Sequence, residues 1–225
     1  MSEKWSDEEL RVAVDAYVDM LHKQRSGLSF VKKHYYANLH ARFGRTEKSF
    51  EYRMQNISYV LSLMGRTWLS GLKPAKNVGA KNAERIEILL AQAEGIKTLP
   101  TAAFEIAVQE EVHKPLLPKP SGCSVPKSIL TEVSTYQRSC EVKAWVLKEA
   151  KGICEGCGQA APFNRVDGMP YLEVHHLRQL AEGGSDTIQN TVALCPNCHR
   201  EIHYGMHKDR IAKELYARLA RLVSE

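Results

Sequence analysis

Two short cysteine turns, Cys154-x2-Cys157 and Cys195-x2-Cys198, limit what this chain can fold into more than any other feature. Each CxxC turn can aim two thiolates at one point, and two such turns, with 37 residues between them, can complete a tetrahedral S4 site. That donor set suits Zn²⁺ and leaves no position for water, so it predicts a structural staple for a region too small to bury its own core. Disulfides are the competing use of the same thiols, and they need an oxidising compartment. The N-terminus, MSEKWSDEEL, is acidic and polar and is not a secretory signal, so a reducing, cytoplasmic setting is expected. A redox CxxC would not need a second pair. Cys123 and Cys140 have no spaced partners and are expected to be bystanders.

Between and beside the knuckles lies a second constellation. Leu172-Glu173-Val174-His175-His176 is followed by Asn190 and then by His199 and His203. His199 and His203 stand at i and i+4, so a helix places them on one face, where they can share one ion. His175 and His176 fall at the end of an expected strand, where neighbouring side chains point to opposite sides. One can therefore turn to an ion and the other to a water molecule. Four histidines in this arrangement around two cysteine turns are hard to collect by chance.

The rest of the chain is mainly helical by pattern. Ser6-Asp7-Glu8-Glu9 has the form of a capping box ahead of Leu10, Val14, Tyr17 and Leu21 at helical spacing. Further helices are expected from about Phe30 to Phe43, stopped by Gly44, and after Thr46, with Phe50, Met54, Ile57, Leu61 and Met64 as the buried stripe. Another is expected from Ala80 to Ala93. Five prolines between residues 96 and 128 predict a linker, with a short helix possible over Thr101 to Val112. A helix from Ser139, a strand pair near Tyr171–Val174 and Thr191–Leu194, a helix from Pro196 to Gly205 and a last one from Asp209 to Val223 complete the pattern. The expected domains are therefore 1–95, 96–128 as the proline-rich linker, and 129–225.

The formal charge of +5 is modest, but its distribution is not. From His22 to Arg85 there are 13 Lys and Arg against 3 Asp and Glu, whereas residues 1–21 carry 6 acids and 2 bases. Clustered cations suit a phosphate backbone, and a solvated basic face is the plain alternative. No stretch approaches the ~18 consecutive apolar residues of a membrane span, so no membrane partner is expected.

Residues 152–205, GICEGCG…YLEVHHL…EGGSDTIQNTVALCPNCHREIHYG, closely resemble the HNH nuclease motif of McrA-type modification-dependent restriction endonucleases. The resemblance extends over about the last 90 residues. It implies a ββα-metal (HNH) fold for that part, so the expected class is α+β, mainly α: an all-α N-terminal domain, read from the helical pattern, joined to a zinc-stapled HNH domain. It further implies that His175, His199 and His203 hold a divalent cation, that His176 is the general base, and that Asn190 steadies the loop and orients that base. Imidazole ligands favour Mn²⁺, Co²⁺, Ni²⁺ or Zn²⁺, with Mg²⁺ acceptable where substrate phosphate completes the shell. Arg178 and Arg200 could clamp flanking phosphates, and ordinary surface arginines explain them equally well. In the N-terminal part the helix, Gly44 turn and helix have the outline of a helix-turn-helix, which would put Lys48, Arg53 or Gln55 near DNA. The stretch from Trp5 to Pro74 also resembles a helical domain found ahead of HNH modules.

The expected function is cleavage of double-stranded DNA, directed by the resemblance to modified cytosine, 5-methyl or 5-hydroxymethyl. An HNH endonuclease or nickase with ordinary sequence specificity and a non-catalytic zinc DNA-binding protein are the alternatives. One HNH site cuts one strand, so a homodimer is a further possibility.

Overall fold

The structure, a computed structural model, describes residues 5–95, 101–128 and 135–225. The chain divides into two compact units, Met1–Ser134 and Thr135–Glu225, each with its own apolar core. Among the described residues no helix is long and apolar enough to cross a membrane.

The first unit is all-α. Helix α1, Asp7–Arg25, starts at the expected capping box: Ser6 Oγ accepts from Glu9 N (3.1 Å) and Glu9 Oε2 accepts from Ser6 N (2.7 Å). Helix α2, Lys32–Phe43, ends at Gly44, whose φ of 74° is the left-handed conformation that glycine adopts without strain. Helix α3, Glu47–Leu63, is capped by Thr46, and its stripe of Phe50, Met54, Ile57 and Leu61 is buried. Helix α4 spans Ala80–Ala93. These faces close on Tyr17, Met20 and Leu69, all without solvent exposure.

The stretch expected as linker is partly folded structure. Residues 96–100 lie outside the described residues, but Thr101–Val112 forms helix α5, which buries Ala102 and Ile106 in the core of the first unit. The reason is tertiary: buried Glu87 on α4 accepts N–H bonds from Thr101, Ala102 and Ala103, capping the start of α5 from outside. Residues 113–128 form no regular element and are exposed, as the prolines predict.

The basic segment of this unit is also quieter than its composition suggests. Lys23, Arg42, Arg45 and Arg85 pair with Asp19, Glu8, Glu9 and Asp7, the acids of α1. Arg66 pairs with Glu94. Four of the thirteen cations therefore pair with acids of the same unit's first helix.

The second unit holds helix α6, Cys140–Ala150, capped by Ser139, and strands β1, Glu173–His176, and β2, Thr191–Leu194. The strands pair antiparallel, with Glu173 opposite Leu194, His175 opposite Val192 and His176 opposite Thr191. A 3₁₀ turn, Leu180–Glu182, lies between them. Helix α7, Pro196–Tyr204, follows β2 directly, and helix α8, Lys208–Arg218, ends sooner than its leucine spacing suggests. Val146, Leu172, Val192, Leu194, Leu215 and Leu222 form the centre of a small core. The unit is thus a β-hairpin with a helix laid on it, flanked by α6 and α8.

Candidate metal centres and active site

The four cysteines of the two knuckles converge. Their Sγ atoms all lie within 4.8 Å of one another. Cys154 sits just before Glu155, whose N–H bonds Ala193 O (2.8 Å), so the first knuckle is tied to β2. The second knuckle is the junction of β2 and α7, where Cys195 N donates to Cys154 Sγ (3.1 Å) and Cys198 N to Cys195 Sγ (3.5 Å). Gly156 packs tightly against the second knuckle: a Cβ there would stand 3.0 Å from Cys198 Cβ and 3.1 Å from its Sγ.

Burial raises the thiols of Cys195 and Cys198. At Cys154 burial opposes the change, but N–H donation from Cys195, Cys157 and Gly156 prevails and lowers it. Four soft donors gathered this closely fit a tetrahedral thiolate metal site. Cys123 and Cys140 are exposed and have no part in it.

The histidines make a second cluster. His175 at the penultimate position of β1 and His199 and His203 on one face of α7 bring their ring nitrogens within 4.8 Å of one another. The ring centroids are 4.8 to 5.0 Å apart. Burial, then the nearby His203, His199, His176 and Arg138, push His175 down to about 2, so it stays neutral, the form in which imidazole binds a cation. His199 Nδ1 donates to Glu173 Oε2 (2.5 Å), which leaves Nε2 for the cluster centre. The His199 bond is the main cause that holds the Glu173 carboxyl below its ordinary value. This is the usual support of a metal-binding histidine.

His176 ends β1 and is buried, but it faces the same cleft as the cluster, a space of about 190 Å³ also lined by Tyr136, Arg138 and Gln179. Its Nε2 is 2.7 Å from Asp186 Oδ1. The Asp186 carboxyl lies below its ordinary value: burial raises it, but the bond to His176, the Ser139 N–H and the positive charge of Arg138 outweigh that. Asp186 is therefore a carboxylate, Nε2 carries the proton, and Nδ1 is the basic atom of the ring.

Asn190 closes the loop that carries these residues. Fully buried, it accepts from Arg178 N (2.8 Å) and donates to Arg178 O (2.9 Å) and Ser185 O (2.8 Å). Gly184 sits inside that knot, where a Cβ would fall 2.0 Å from Arg178 O. The Gly183-Gly184 pair was the sequence signal for this close approach.

The four residues singled out as possible DNA contacts stand differently. Arg178 turns inward, its guanidinium donating to Glu182 O (3.0 and 3.2 Å), and so it staples the loop. Arg200 is exposed, with its guanidinium 5.9 Å from the centre of the Tyr204 ring. In the first unit Lys48 is exposed, whereas Arg53 is half-buried against Trp5, 4.6 Å from its ring centre. Burial, with Arg85 and Arg45 nearby, pulls Arg53 down to about 10. Glu173, Asp186, Tyr136 and Arg138 carried no assignment from sequence, since their partners are set by folding and not by spacing.

A short antiparallel hairpin feeding a helix, with histidines of both elements around one point, defines an HNH endonuclease module, and the HNH endonuclease family model matches residues 154–205. The chain is 49% identical over 109 residues to the type IV methyl-directed restriction enzyme EcoKMcrA of Escherichia coli (strain K12). That alignment covers 48% of this chain and 39% of the relative, so the chain spans about two fifths of that protein's length. A stretch of 31 residues is 55% identical to anaredoxin of Nostoc sp., covering 14% of this chain and 41% of that one. Among solved structures, the type IV phosphorothioation-dependent restriction endonuclease ScoMcrA aligns at 38% identity over 36% of this chain and 18% of its own, with a TM-score of 0.33. The chain thus carries an HNH endonuclease domain related to McrA-type restriction enzymes.

Proposed function

We propose that the chain is a metal-dependent endonuclease that hydrolyses phosphodiester bonds in double-stranded DNA and is directed to DNA with modified cytosine. The observation that carries the reading is the single cleft in which His175, His199 and His203 converge and His176 stands beside them with a carboxylate behind it. The N-terminal helical unit is the candidate reader of the target, since an HNH site itself contacts few bases.

The residues divide the work as follows. His175, His199 and His203 would hold the divalent cation, which when bound supplies positive charge to the phosphorane and to the departing 3′ oxygen. Nδ1 of His176 takes a proton from the attacking water, and Asp186 holds the Nε2 proton and steadies the imidazolium that forms. Asn190 keeps the loop closed so that His176 and Asp186 stay in register. Cys154, Cys157, Cys195 and Cys198 would hold a structural Zn²⁺ that fixes α7 against β2 and thereby places His199 and His203.

The reading is tested with plasmid DNA and Mn²⁺. Cleavage is expected from the wild-type chain and is lost by at least about 100-fold on His176→Ala, while folding and DNA binding persist. Equal cleavage by both proteins overturns the catalytic assignment. The target is tested by comparing the same plasmid with and without 5-methyl- or 5-hydroxymethylcytosine. The E. coli relative is described as methyl-directed, and preference for the modified DNA is expected here; equal cutting of both overturns the modification dependence alone.

A further inference from the structure

The nuclease unit has a second cleft that none of the residues above uses. Leu147, Met169, Pro170 and Leu172 form its floor, and Lys148, Lys151 and Arg165 stand at its rim, enclosing about 290 Å³. No acidic residue lines it. Among the described residues, the three cationic side chains make no hydrogen bond or ion pair; Arg165 only lies 5.4 Å from the Tyr171 ring centre.

Lysines at the end of α6 have an ordinary explanation, since a helix C-terminus favours positive charge. That account does not extend to Arg165, which arrives on a separate hairpin held by the bonds of Arg165 N to Met169 O and Tyr171 N to Phe163 O. Lys151 is the left-handed residue that ends α6, with φ 51°, and is the one described non-glycine residue in that region. A lysine kept in that conformation, with the glycine after it packed so closely that a Cβ would meet Pro170 at 3.0 Å, shapes the rim at some local strain. Met169, which lines the cleft, is 61% exposed and so is accessible to a ligand there.

We propose that this cleft binds one nucleotide of the DNA substrate beside the cut, the two phosphates that flank it on Lys148, Lys151 and Arg165 and its sugar and base on the apolar floor. The chemistry of the lining matches that ligand: three unpaired cations and a flat aliphatic surface fit an anion joined to an apolar face. The distance fits as well. Leu172 is three residues before His175, so their Cα atoms are at most roughly 11 Å apart, within a few nucleotides at about 3.4 Å of rise per nucleotide. The proposal rests on the nuclease reading and adds a strand-holding site to it.

The test uses the full chain in a His176→Ala background, so that DNA stays intact, and measures binding of a short duplex against salt concentration. Removing the charges in Lys148→Ala/Lys151→Ala/Arg165→Ala should lower the slope of log K against log salt by about one to two, near 0.9 for each of the phosphates flanking that nucleotide. A control with equal charge loss on exposed α6 and α8 positions, Lys143→Ala/Arg210→Ala/Lys213→Ala, should leave the slope unchanged. A wild-type slope in the first variant, or an equal fall in both, overturns the site and leaves the cleft to some other occupant. For the floor, Met169→Ser should weaken binding of intact duplex several-fold and make no difference once an abasic nucleotide replaces one particular position in a scan. Uniform binding by Met169→Ser at every position overturns the nucleotide assignment. None of these readings needs cleavage, so failure of the nuclease reading shows separately, as an uncut plasmid with the wild-type chain.

Discussion

Asp186 is the residue whose two oxygens most tightly fix the chemistry available to His176. Oδ1 receives the Nε2 proton and Oδ2 accepts from Ser139 N (2.5 Å), so the carboxylate joins the catalytic loop to the start of α6. An asparagine at this position has one acceptor and one donor for two groups that both need an acceptor. If its oxygen faces Ser139, its amide faces Nε2, which moves the imidazole proton to Nδ1, the atom that must take a proton from water. Asp186→Asn should therefore lower the cleavage rate by about 100-fold with DNA affinity and melting temperature nearly unchanged. Steady-state cleavage, DNA binding and thermal melts check this, and a variant that cuts at the wild-type rate excludes the proposed proton arrangement. At this scale the convergence of the histidines and of the cysteines was legible, because side chains able to share an ion must recur at fixed spacing. Asp186 and Glu173 were not, because an acceptor for an imidazole N–H can come from any stretch that folding brings near. The bond of Arg178 to Glu182 O was not legible either, because a backbone acceptor leaves no trace in residue identity.

Elements with local signals came out at their expected limits. The capping box starts α1 and Thr46 starts α3, while Ala80–Ala93 is helical throughout, since caps and apolar spacing act within a few residues. Strand β1 lies two residues later than its apolar run suggested, because its ends are decided by pairing with β2. Helix α5 was the ambiguous case, and Glu87 decides it. Its fully buried carboxylate takes three N–H groups at the start of α5, yet burial outweighs them and raises its pKa. With the folded value above the unfolded one, the folded state holds the proton more tightly. This group's contribution is thus fully present below the ordinary carboxylate range and is lost as pH rises through the raised value. Unfolding free energies of wild type and Glu87→Gln, taken from pH 4 to 7, should show the wild-type advantage shrinking as pH rises. Glu87→Ala, which strands three N–H groups, should lower the stability of the first unit by about 1–3 kcal/mol at any of these values. An advantage that grows with pH would mean that the N–H bonds outweigh burial and the stated direction is wrong.

At the scale of the whole chain, two cores imply two separable stabilities. The first unit closes large side chains such as Tyr17, Phe50, Met54 and Ile86 on one another and has no metal-ligating cluster among its described residues. The second unit has a smaller core, of which Cys154 and Cys195 are themselves members, so its thiolate site is part of that core. A bound structural ion would then supply much of the second unit's stability, since structural zinc in small domains contributes on the order of 10 kcal/mol. About 1 kcal/mol moves the melting temperature of a domain this size by roughly 4–8 °C. Differential scanning calorimetry of the intact chain should accordingly show two transitions. A strong zinc chelator should abolish the one belonging to residues 135–225 and shift the other by no more than about 2 °C. Cys157, which is exposed, gives the chelator a way in, and Cys157→Ser should reproduce its effect. His199→Ala, by contrast, removes a ligand from the half-open histidine cluster and should cost activity while leaving both transitions in place. If chelation moves the two transitions together, the units are not independent. If it moves neither, the four cysteines do not staple the fold, and the placement of His199 and His203 must come from packing alone.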